Sequence, residues 1–87
     1  MYEIRLFEEA RRNLERLDKT IARRVIRKLN WLAENGEMIG LKGLRKNLSG
    51  FAKLREGDYR IIYQVSHEEE IVFIRFIGHR SEVYKNK

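Results

Sequence analysis

A chain of 87 residues has room for one small domain and a single core. At 43% hydrophobic and 37% charged it falls outside the disordered class, and the lack of cysteine excludes disulfides and thiolate metal sites and fits a reducing cytoplasm. The net charge of +6 points to a polyanionic partner, either nucleic acid or an acidic protein. The opening "MYEIRLFEEARR" is charged from its third residue and has no apolar stretch of the signal-peptide kind. The longest apolar runs, such as "IVFI", are too short to cross a membrane, so a cytoplasmic protein without a membrane partner is expected.

In chain order, residues 2 to 6 ("YEIRL") alternate and read as a first strand. Phe7, Ala10, Leu14 and Leu17 then recur at spacings of three and four, one face of a helix. Asp18 interrupts this and caps a second helix from Lys19, whose apolar stripe is Ile21, Val25, Leu29 and Leu32, widened by Ile26 and Ala33. Gly36 is the expected stop. Residues 36 to 50 read as a loop with one short helical turn around Leu44. Three strands follow, at about 51–55, 58–65 and 71–77, joined by turns at Gly57 and "SHEEE". The expected fold is α+β, in the order β-α-α-β-β-β. A helical hairpin covers one face of a mostly antiparallel four-stranded sheet within a single domain, 1–87.

The uncovered face draws attention to "KLREGDYRIIYQV", residues 53 to 65. A two-residue turn puts Arg60 opposite either Lys53 or Arg55, and both registers place all three cations on one face. Like charges opposed across strands are destabilising, and a bound phosphate removes that cost. The competing reading is that Glu56, Asp58 and Glu68 to Glu70 pair with these cations as surface salt bridges. Arg75, on the last strand, adds a further cation and, with Arg55, a candidate RNA-phosphate contact. Arg11, Arg12, Arg16, Arg23, Arg24, Arg27 and Lys28 mostly sit opposite the apolar stripes and read as a solvated face that can also lie along an RNA backbone.

Beyond the last strand, "GHRSEVY" supplies His79, Arg80 and Tyr84. Histidine exchanges protons near neutral pH, and tyrosine can stack on a base or transfer a proton. The sequence has no metal-ligand cluster, nucleophilic cysteine, Ser-His-Asp set or P-loop, so neither metal nor cofactor is expected. Cations with one His and one Tyr suit cleavage of RNA by its own 2′-OH. Arg60 and Arg80 would stabilise the anionic transition state, with His79, or a Lys53 of depressed pKa, as base. So weak a base predicts poor cutting of free RNA, improved when a partner fixes the RNA geometry.

The stretches "LSGFAKLREGDYRIIYQV" and "IVFIRFIGHRSEVYK", together with "LDKTIARRVIRKLNWLAEN" and "GLKGL", closely resemble the RelE branch of the RelE/ParE toxin superfamily over nearly the whole chain. The resemblance implies the toxin of a bacterial toxin–antitoxin pair, an endoribonuclease that enters the ribosomal A site and cleaves mRNA there. By position, Lys53 matches a family lysine proposed as base or phosphate contact, and Arg60 the arginine that holds the scissile phosphate. Arg80 fits an arginine that stabilises the transition state, and Tyr84 a tyrosine that stacks on or orients the mRNA base. Phe51 stands where well-known members carry a second lysine, and the segment from Gly78 to Tyr84 looks shorter, which leaves His79 and Arg80 as alternatives for one role.

Two other readings remain at this point: a ParE-like inhibitor of DNA gyrase without nuclease activity, and a non-catalytic homologue acting only in an antitoxin complex. The implied partners are mRNA, the A site of the small ribosomal subunit with its rRNA, and an acidic antitoxin that folds on binding, through which alone the protein would meet DNA. Exposed apolar residues on the basic face, such as Ile62, are the expected antitoxin contacts.

Overall fold

The computed structural model describes residues 1–39 and 51–85. The expected helical turn around Leu44 lies outside the described residues. The strands are β1 (Glu3–Leu6), β2 (Ala52–Glu56), β3 (Tyr59–Ser66) and β4 (Ile71–His79); the helices are α1 (Glu8–Arg16), α2 (Lys19–Glu34) and α3 (Arg80–Lys85). A short 3-10 turn, Gly36–Met38, follows α2. The sheet order is β1-β4-β3-β2, with β1 parallel to β4 and the remaining pairs antiparallel. The last strand thus lies beside the basic hairpin.

Alternation and burial agree on which face is which. Ile61, Tyr63, Val72, Ile74 and Ile77 are buried from the sheet, and Val25, Leu29 and Leu32 of α2 meet them together with Ala10 of α1. α2 starts where the Asp18 carboxylate accepts the Thr20 N–H at 3.1 Å. α1 has no side-chain cap and relies on Glu8 and Glu9 in its first turn, where the helix dipole favours negative charge. The Arg11 guanidinium bonded to Glu8 holds that carboxyl below its usual range.

Three expectations need correction. Ile26 does not widen the buried stripe: one residue step around the helix from Val25, it is 44% exposed. α2 ends on Asn35, whose Nδ2 donates to the Trp31 carbonyl, and Gly36 is required by close approach instead of helix termination. A Cβ at Gly36 would overlap the Tyr2 ring, so Gly36→Ala is expected to destabilise the fold by about 1–3 kcal/mol in denaturant titration. The last strand runs on to His79, and the tail folds into α3, a helix too short for apolar periodicity to reveal.

The β4 strand also bulges. Ile62 pairs with Phe76 and Tyr63 with Ile74, so Arg75 is an extra residue between them. This lets Val72, Ile74 and Ile77 all face the helices although their spacing breaks strict alternation. Tyr63 is buried on the same side, and desolvation pushes its phenol pKa above the ordinary 10.0. The unfolded chain therefore loses this proton first. The stabilising contribution is intact below pH 10.0 and is lost as pH rises through the folded-state value. Tyr63→Phe is expected to flatten the alkaline limb of stability, followed by circular dichroism against pH.

Candidate functional site

The hairpin turn fixes the register left open by the sequence. Gly57, with φ of 59°, occupies the first central position of a two-residue turn with Asp58, where glycine bears the positive φ at little cost. Arg55 is then directly opposite Arg60, and Arg60 opposite Gly78. The next row on this face is Lys53, Ile62 and Phe76. Lys53, Arg55 and Arg60 do share the face turned away from the helices, as either register required.

Their environments differ. Lys53 and Arg55 are exposed, whereas Arg60 is only 7% exposed. Its Nη1 donates to the carbonyls of Gly57 (3.1 Å) and Tyr59 (3.0 Å), the near end of the same turn. The salt-bridge reading fails for Glu56, which turns to the helix side and meets Arg24 of α2 at 3.2 Å. Among the described residues, no carboxylate pairs with Arg55 or Arg60. A nearly buried guanidinium whose hydrogen bonds, among the described residues, go to carbonyl oxygens of its own hairpin is suited to bind an anion.

Arg80 reaches the same turn. It opens α3, and its backbone N–H donates to the Asp58 carbonyl at 2.7 Å. One two-residue turn therefore holds the Arg60 guanidinium and the Arg80 backbone. Tyr84 belongs to α3, and the expectation for its side chain lies outside the described residues.

His79 and Arg75 are placed elsewhere. His79 pairs with Tyr59, which shares the helix-facing side with Ile61, and the two rings meet edge to face at 5.5 Å. It lines a cleft of about 410 Å³ with Asn13, Arg16, Tyr59 and Glu82, across the sheet from Arg60. Its Nδ1 receives the Ser81 N–H at 3.2 Å and lies 3.0 Å from the Ser81 hydroxyl. A backbone N–H can only donate, so Nδ1 is an acceptor and the neutral ring carries its proton on Nε2. In this form the Nδ1 lone pair is taken up by Ser81. Arg75, at the bulge, lies over the rings of Phe7 (5.9 Å) and Phe51 (5.4 Å), one row further from the turn than Lys53.

The sequence reading missed Ser81, Gly78 and Asn13. Gly78 sits in a strand interior, a recognised mark of close approach: a Cβ there would press on the Phe76 ring at 2.7 Å and on the Glu82 carboxylate at 3.1 Å. Asn13 accepts the Ile77 N–H where β1 no longer covers the β4 edge, a long-range contact with no local signal. Ile62 is partly buried, not exposed as expected, since Lys53 and Phe76 flank it. Among the described residues no His, Asp and Glu cluster could hold a metal ion, and no described helix is long and apolar enough to cross a membrane.

The model of the family described as the ParE toxin of the type II toxin–antitoxin system parDE matches residues 4–84. Toxin RelG of Mycobacterium tuberculosis is 32% identical over 85 residues, 97% of each chain. Toxin RelE of the same organism is 33% identical over 97% of this chain and 87% of its own. Among solved structures, the chain is similar to the toxin–antitoxin complex RelBE2 of M. tuberculosis, with 32% identity and a TM-score of 0.74 over 91% of this chain and 98% of that one. It also resembles the isolated Escherichia coli RelE toxin, with 26% identity and a TM-score of 0.76 over 98% and 93%. Fold, matched residues and relatives agree: the chain belongs to the RelE/ParE superfamily, as a RelE-family toxin of a type II toxin–antitoxin system.

Proposed function

We propose that this toxin is a ribosome-dependent mRNA endonuclease that arrests translation. The observation that carries the reading is Arg60, nearly buried, paired with no carboxylate among the described residues, and held on a turn that also anchors Arg80. In this reading a base removes the 2′-OH proton of the A-site nucleotide, and the 2′-oxygen bonds to phosphorus. The P–O5′ bond then breaks, leaving a 2′,3′-cyclic phosphate and a 5′-OH that gains a proton. Arg60 holds the non-bridging oxygens, and the added charge of the transition state is met by Arg80 with Lys53 and Arg55 around it. Tyr84 orients the base.

The Nε2–H form of His79 favours Lys53 over His79 as the base and leaves His79 as a hydrogen-bond donor at the end of the sheet. Arg75 over its two phenylalanines is a weaker candidate for phosphate than Arg55, because its cation is already engaged. With a lysine as base and Phe51 in place of a second one, rate depends on positioning, which the ribosome supplies. A cognate antitoxin, acidic and folding as it binds, would cover the cationic row or displace α3, using the partly buried apolar residues Ile62, Phe73 and Phe76. Full cutting activity of the tight complex would contradict this.

The matched family model bears the ParE name, which favours inhibition of DNA gyrase as the second reading. Purified toxin added to a translation extract, alongside a gyrase supercoiling assay, separates the two. The nuclease stops protein synthesis and leaves supercoiling intact; arrested supercoiling with normal synthesis overturns it.

A further inference from the structure

The tail is fastened to the sheet by a reciprocal cap. α3 begins at Arg80, which makes His79 the residue that caps it. His79 Nδ1 accepts the Ser81 N–H at 3.2 Å, and the Glu82 carboxylate accepts the His79 N–H at 3.3 Å. This is the geometry of a capping box, with an imidazole where serine or threonine normally stands. Histidine is not among the preferred cap residues. Here its ring also meets the Tyr59 ring edge to face at 5.5 Å, so the cap is tied to β3 as well as to its own helix. Gly78 serves the same joint, since a Cβ there would come within 3.1 Å of the returning Glu82 carboxylate.

α3 has six residues, too few for intrinsic propensity to hold a helix, so the bonds of its first turn weigh heavily in whether it forms. The N–H groups of its first two residues, Arg80 and Ser81, go to the Asp58 carbonyl and to His79. The Asp58 bond sets the Arg80 backbone on the turn whose Gly57 carbonyl holds the Arg60 guanidinium. Arg60 is in turn paired across the strands with Gly78, next to the cap. The cap therefore decides how the chain leaves β4, and with it where the Arg80 side chain starts relative to Arg60.

We propose that His79 and Glu82 are positioning residues of the cutting site: together they hold α3 folded at the end of β4 and so fix Arg80 relative to Arg60. The inference rests on the proposed function, in which Arg80 meets the charge of the transition state, and gives His79 a part that involves no proton transfer. The ring lines the cleft with Asn13 and Arg16, across the sheet from the cationic row, which suits a residue that acts through another. A base must reach the 2′-OH and exchange a proton. A cap needs only an acceptor for the Ser81 N–H, which asparagine also supplies.

The test takes the full-length toxin with His79→Ala, His79→Asn, Glu82→Ala and Glu82→Gln through two measurements. Single-turnover cleavage on programmed ribosomes, over a range of ribosome concentrations, reads the chemistry. Hydrogen exchange at the Arg80 and Ser81 amides reads the hold on α3 without any cleavage. His79→Ala and Glu82→Ala are expected to slow the rate at saturating ribosomes by about 3–10-fold, with half-saturation changed less than about 2-fold. Exchange at the two amides should quicken by about as much. His79→Asn and Glu82→Gln rebuild the cap and should recover most of both, although asparagine can take no proton. Unchanged exchange in the alanine variants overturns the proposal, as does faster exchange with an undiminished rate. Restored protection in His79→Asn with a rate as low as that of His79→Ala also overturns it, and returns His79 to direct contact with the RNA. If exchange follows the cap while the wild type cuts nothing, the nuclease reading falls and the cap as holder of Arg80 stands.

Discussion

Arg60→Ala is expected to slow cleavage of ribosome-bound mRNA by about 10²–10³-fold, the usual cost of removing one preorganised donor from a charged transition state. The fold should barely notice. The substitution removes hydrogen bonds to the Gly57 and Tyr59 carbonyls, together about 1–3 kcal/mol. It also relieves the burial of a guanidinium that faces Arg55 across the strand pair, so the two effects largely offset each other. A shift of Tm within a few degrees with cleavage lost is the combination to look for, measured by single-turnover primer extension and differential scanning fluorimetry. Arg60→Lys should recover only part of the rate, since an ammonium lacks the fork that engages two phosphate oxygens.

Its neighbour should behave in the opposite way. Ile61 points to the helices from the central part of the sheet and is fully buried. Ile61→Ala removes three carbons from a contact region shared with Val25, Leu32, Ile74 and Ile77, at an expected cost of about 2–5 kcal/mol. In a domain of this size that lowers Tm by about 10 °C or more and consumes much of a typical total stability. Cleavage per folded molecule should persist at temperatures where the variant remains native. Two adjacent residues on opposite faces of β3 thus separate stability from chemistry.

The pattern of the chain carried most of the fold because its elements are locally consistent. The α2 stripe, the Asp18 cap and the Gly57 turn each follow from spacing and residue type. The cationic row was legible for the same reason, as period-two alternation puts Lys53, Arg55 and Arg60 on one face whichever two-residue turn joins the strands. What the pattern could not convey arises from tertiary geometry. The inward turn of Arg60 depends on carbonyls of a turn whose exact register was ambiguous. The bulge at Arg75 shows only in pairing, and its guanidinium lies over two aromatic rings there. His79 is next to Arg80 in sequence, but no local signal puts it on that residue's side of the sheet. Strand alternation carried through to residue 79 places it on the other side of the sheet, with Ser81 fixing its tautomer. The parallel pairing of β1 with β4 likewise has no local signature.

The central claim is that the cationic row cuts mRNA only when the ribosome presents it. Primer extension on one defined mRNA, free in solution and on programmed ribosomes, tests it most directly. The predicted result is breaks at A-site codons on ribosomes and essentially none on free RNA, with 2′,3′-cyclic phosphate ends. Intact message in both settings, with translation running normally, would contradict it.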